Sequence, residues 1–89
     1  MSVIKPFADV IIFGDGYHQA MYVNGELSID VFGRDGITII DLMRVTRVYV
    51  INFITILRFT EGGYDWMWER KDKYPEELCE IPKEYLKTT

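Results

Sequence analysis

A chain of 89 residues makes one domain with a modest core, and a core of that size gains from assembly. Ten Lys and Arg against 14 Asp and Glu leave a net charge of −4, which opposes binding to nucleic acid or to an anionic membrane. The single cysteine, Cys79, excludes an internal disulfide and any zinc site built from several thiolates, and it fits a reducing compartment.

The N-terminal stretch has a single basic residue, Lys5, followed by a short apolar run, without the long apolar core of a secretion signal. The expectation is therefore a mature, cytoplasmic start. Phe7 to Phe13 reads as a strand stopped by Gly14-Asp15-Gly16, a turn composition that supplies positive φ. Tyr17 to Val23 follows as a second strand. Asn24-Gly25 is the strongest local hairpin signal, because both central residues of a type I′ turn need positive φ. In Glu26 to Phe32, Leu27, Ile29 and Val31 alternate with Ser28 and Asp30, the period of a third, half-buried antiparallel strand. Gly33-Arg34-Asp35-Gly36 is the next turn.

From Ile37 to Phe59 the chain is almost continuously apolar, and 12 of the 23 residues are Val, Ile or Thr, whose branched Cβ suits a pleated sheet. A bilayer helix is not expected. Asp41, Arg44, Arg47 and Arg58 would each cost roughly 2.5 to 3.5 kcal/mol near its centre. Two readings stand for its first third. Thr38 followed by Asp41 resembles a capping box, giving a short helix from Ile39 to about Arg47; the alternative is a strand over Ile37 to Met43. Val48 to Phe59 is apolar on both faces, which predicts a central strand covered on both sides. Glu61-Gly62-Gly63 ends it, and Tyr64 to Lys73 and Pro75 to Cys79 read as helices, with Pro75 at a first helical position followed by Glu76 and Glu77. Pro82 stops or restarts the tail. Residues 61–89 carry eight acids and five bases against six and five in 1–60, so the tail is the polar, solvated end. The expected fold is a single β-rich α+β domain over 1–89: an antiparallel sheet or small barrel of about five strands with short C-terminal helices.

No catalytic constellation is legible. His18 beside Asp15 is the one acid–base candidate, and it has no second histidine and no neighbouring nucleophile, Ser2 and Ser28 being a terminus and a strand residue. Gly14-x-Gly16 lacks the third glycine of a dinucleotide fingerprint, so no cofactor is expected. Asp15, Asp30, Asp35 and Asp41 are scattered and match no calcium loop, so no metal is expected. Arg44 and Arg47, three apart, would share a helix face and could clamp a phosphate or carboxylate, with Tyr49 available to a base. Arg58, inside a strand read as covered on both faces, would need a paired anion: an acid, the tail, a ligand or a neighbouring subunit. Tyr64-Asp65-Trp66-Met67-Trp68 is the sharpest surface candidate. On a strand Tyr64, Trp66 and Trp68 would form one platform; on a helix Tyr64, Met67 and Trp68 would face the core and leave Trp66 exposed.

Tyr22-Val23-Asn24-Gly25-Glu26-Leu27, with a closing Tyr74-Pro75-Glu76-Glu77-Leu78-Cys79-Glu80-Ile81-Pro82, resembles the layout of short accessory proteins encoded by bacteriophages. Such proteins are single-domain, often acidic, and commonly bind and disable a host factor or mop up a defence signal. The resemblance covers two short segments and transfers no residue. It implies a non-catalytic, homo-oligomeric binder that occupies a partner protein through Tyr64, Asp65, Trp66 and Trp68. The alternative is an oligomeric sponge for a small anionic ligand such as a nucleotide signal, held by Arg44, Arg47, Arg58 and Tyr49.

Overall fold

The computed structural model describes residues 4–14, 18–33 and 35–88; Asp15, Gly16, Tyr17 and Arg34, named above in turns and as a candidate, lie outside them. The element order is β1 (Phe7–Phe13), β2 (His18–Val23), β3 (Glu26–Phe32), α1 (Ile39–Thr46), β4 (Val50–Phe59), α2 (Glu61–Glu69), two single 3₁₀ turns (Leu78–Glu80 and Lys83–Tyr85) and β5 (Leu86–Thr88). The strands form one five-stranded sheet in the order β3-β2-β1-β4-β5. The domain is thus β-rich α+β with an open sheet.

The first three strands are a meander. Asn24 and Gly25 adopt φ of 50° and 83°, the left-handed pair that the hairpin needs. The Asn24 amide then does a strand's work: its Oδ1 accepts from Asp9 N at 3.0 Å and its Nδ2 donates to the Phe7 carbonyl at 3.3 Å, carrying the β1–β2 ladder past the turn. In β3 the register shifts opposite Met21 and Tyr22, leaving Ser28 as a bulge. One extra residue changes faces. Leu27 therefore packs with Tyr22 on one side of the sheet and Ile29 with Met21 on the other, where simple alternation had put both on one face.

After β3 the chain crosses the sheet rather than turning back. Thr38 is a true N-cap: its Oγ1 accepts from Asp41 N at 3.4 Å, and the Asp41 carboxylate accepts from Thr38 N at 2.9 Å. That reciprocal pair satisfies first-turn donors that have no acceptor within the helix, and it decides for α1 against the strand reading. The crossover brings β4 in parallel to β1, so the sheet is mixed. β4 is not covered on both sides, contrary to the two-faced apolar reading: Phe53, Ile54 and Ile56 are exposed. On the α1 side, where Ile54 and Ile56 lie, one eight-residue helix is too short to shield a ten-residue strand.

Each face of the sheet has its own core. On one side Val10, Met21 and Val45 are buried with Ile12, Ile29, Leu42 and Tyr49 around them, under α1. On the other, α2 and the tail cover an aromatic cluster in which the Phe13 ring lies 4.9 Å from Phe59, 5.7 Å from Tyr74 and 5.8 Å from Tyr22. Such pairs contribute roughly 0.5 to 1.5 kcal/mol each beyond their buried area. The tail is not the second helix expected over Pro75 to Cys79. Leu27 N donates to the Glu76 carbonyl and Leu78 N to the Gly25 carbonyl, both at 2.7 Å, so the backbone of the hairpin edge captures this segment in extended form. Pro75 is buried, its carbonyl accepting from the Tyr22 hydroxyl at 2.7 Å.

Candidate interaction surface

α2 begins earlier than the aromatic run suggested. Thr60 caps it, its Oγ1 accepting from Gly63 N at 3.2 Å, and Glu61 occupies the positive end of the helix dipole. The Gly62-Gly63 pair, read above as a strand terminator, lies in the first turn because the tail passes over it. A Cβ on Gly63 would stand 2.8 Å from the Tyr85 carbonyl oxygen and 2.9 Å from the Phe59 ring. Starting at Glu61 fixes the packed face as Gly63, Trp66 and Met67. The helix ends where Lys71 and Asp72 take φ of 58° and 57°, short of the expected Lys73.

This phase reverses the two indoles. Trp66, expected to be the exposed one on a helix, is half-buried, tilted against Tyr85 at 6.3 Å with the Arg70 guanidinium 4.9 Å above its ring. Trp68, expected in the core, is 76% exposed. Tyr64 is also exposed, one edge resting on Phe59 at 5.9 Å. Tyr64 and Trp68 are four apart and therefore neighbours on one stripe, with Glu61 and Asp65 exposed beside them. An aromatic edge with an acidic rim results.

A second apolar surface lies across the sheet. The outward side of α1 carries Ile39, Ile40 and Met43 at 74, 63 and 56% exposure. Ile54 and Ile56 of β4 register with Val10 and Ile12 and so share that side of the sheet. Their own exposure is 44 and 47%. Arg58 follows by alternation, exposed and opposite Lys87 of β5. It is not the buried cation that the two-faced strand reading implied.

The anion candidates are split. Arg44 and Tyr49 line one groove of about 380 Å³ between α1 and the β2–β3 hairpin, while Arg47 caps the C-terminus of α1 and Arg58 stands on β4, outside it. The groove also holds Asp41 and Glu26, two carboxylates to one guanidinium, which favours no anion. His18 faces neither surface. Its ring stacks on Phe32 at 3.8 Å and meets the edge of Tyr74 at 4.6 Å, and its Nε2 is buried with no hydrogen-bond partner among the described residues. Burial pushes its pKa below the ordinary histidine value, against the smaller opposing pull of Asp30 and Asp72. Among the described residues no group of three or more His, Cys, Asp or Glu could hold a metal ion, and no helix is long and apolar enough to cross a membrane. No family model, curated protein or solved structure matches the chain.

Proposed function

We propose that this is a non-catalytic binding protein that inhibits a host or defence factor by occupying it, with Tyr64 and Trp68 as the contact anchors. The carrying observation is Trp68. An indole is the most costly side chain to leave in water, and here it is 76% exposed beside an exposed tyrosine on a helix whose other face is anchored in the core. Trp and Tyr dominate binding hot spots because each supplies a large, stiff apolar body at a low cost in rotamer entropy. Glu61 and Asp65 beside the pair favour a partner with an apolar pocket rimmed by Lys or Arg. Trp66 leaves the contact set and becomes the support that holds α2 against Tyr85. The host or defence setting rests on the layout resemblance of the hairpin and closing segment.

The sponge reading keeps one observation, the Arg44–Tyr49 groove, and loses support from its two carboxylates and from the distance of Arg47 and Arg58. Replacing Trp68 by Ala separates the two. Loss of partner inhibition with unchanged folding is expected; inhibition that persists in both Trp68→Ala and Tyr64→Ala removes the proposed contact.

A further inference from the structure

The apolar surface formed by α1 and β4 is a different surface from the aromatic edge, and three observations say what covers it. A monomer of 10.5 kDa is expected to expose roughly 5,400 Å², whereas this chain exposes 6434 Å². The excess of roughly 1,000 Å² belongs to the chain as a whole, and it is large enough to include the ~800 Å² that each partner buries in a standard interface. Second, α1 is apolar on both sides: Val45 and Leu42 point into the sheet while Ile39, Ile40 and Met43 point away from it. The outward three are exposed apolar side chains on a helix whose inner face is already packed, so that stripe of α1 is left over from its own core. Third, α1 carries its acid, Asp41, in the first turn and Arg44 and Arg47 at the end. Two copies of α1 laid antiparallel would bring each Arg end to the other's Asp end and oppose the helix dipoles favourably.

We infer that a second copy of this chain covers the α1–β4 face, as a two-fold symmetric dimer with Ile40 and Met43 near its axis. The parallel alternative sets Arg44 and Arg47 against their own copies and is disfavoured. Because α2 lies on the opposite side of the sheet, each dimer presents two Tyr64–Trp68 edges, one at either outer face. The inference stands without the proposed role of those edges, and their pairing would make the dimer bivalent toward a repeated or dimeric target.

The test is the mass in solution together with a symmetry-specific crosslink. Sedimentation of the full chain at micromolar concentration is expected to give twice the 10.5 kDa chain mass. Met43→Glu and Ile40→Glu, at sites exposed in the single chain, should each give folded monomer by circular dichroism and sedimentation, whereas Phe7→Glu on the other face should leave the dimer intact. In a Cys79→Ser background, Met43→Cys should form a disulfide-linked homodimer under mild oxidation and Trp68→Cys should not, since only residues near a two-fold axis meet their own copy. A wild-type monomer, a dimer that survives both glutamate substitutions, or an assembly that grows with concentration overturns the inference. So does a crosslink at position 68 in place of 43.

Discussion

At the scale of single residues, two buried polar atoms on the aromatic side of the sheet, the Tyr22 hydroxyl and His18 Nε2, behave in opposite ways. Tyr22 is fully buried yet satisfied, its hydroxyl donating to the Pro75 carbonyl, and burial pushes its pKa well above the ordinary tyrosine value. Tyr22→Phe orphans that carbonyl, so a loss of about 1 to 3 kcal/mol in denaturant unfolding is expected. An unchanged midpoint would mean that the bond contributes nothing. His18 is the contrasting case, its buried Nε2 having no hydrogen-bond partner among the described residues. Its folded pKa is lowered, so the unfolded chain binds the proton more readily in the window between the folded value and 6.5. Stability associated with His18 is therefore complete above that window and is lost as pH falls through it. Urea midpoints at two pH values on either side of 6.5 should differ in the wild type, and His18→Phe should shrink that difference; an equal difference in both proteins would assign the pH dependence elsewhere.

At the scale of elements, local chemistry was legible wherever it acts within a few residues. β1 and β3 run over the residues their patterns predict, and Asn24-Gly25 makes the predicted turn, because periodicity and positive φ are local demands. The helix or strand ambiguity at residues 37–47 turned on Thr38 and Asp41, and the capping bonds settle it as α1. What stayed hidden depends on distant partners. The Ser28 bulge is a feature of the pairing of β3 with β2, and no periodicity within Glu26–Phe32 announces it. The segment from Pro75 has helix-start chemistry, yet two hairpin backbone groups outcompete it. The exposed face of α2 was half legible: Tyr64, Asp65 and Trp68 were in the candidate set, but which indole faces outward depended on the start of α2 at Glu61. Thr60 before an acid was the available signal, masked by the glycine pair. That pair makes a prediction of its own. Gly63→Ala forces a methyl against the Tyr85 carbonyl and the Phe59 ring, and should cost about 1 to 3 kcal/mol as an overpacked contact. Gly62→Ala, whose Cβ would come no nearer than 3.1 Å to the edge of the Tyr85 side chain, should cost less. Equal stabilities for the two variants by thermal unfolding would show that the tail does not press on α2.

At the scale of the molecule, the sheet divides the chain into two differently addressed sides. Under α2 lies the larger, aromatic core, and its outer surface is acidic with one protruding aromatic edge; across the sheet α1 covers a smaller core and leaves its own back apolar. Thirteen large hydrophobic side chains are exposed among the described residues, too many for a chain of 89 to leave in water without a use. Assembly through α1 and engagement through α2 would cover the greater part of them, and the two can be separated by mutation. Native mass spectrometry of the protein purified from the cells that make it reads both at once, since it reports subunit count and retained molecules together. The proposed function predicts a second polypeptide at fixed stoichiometry on the wild type, absent from Trp68→Ala with the subunit count unchanged. A wild type carrying only a small anion that Arg44→Gln loses, or a second polypeptide that both Trp68→Ala and Tyr64→Ala retain, would contradict it.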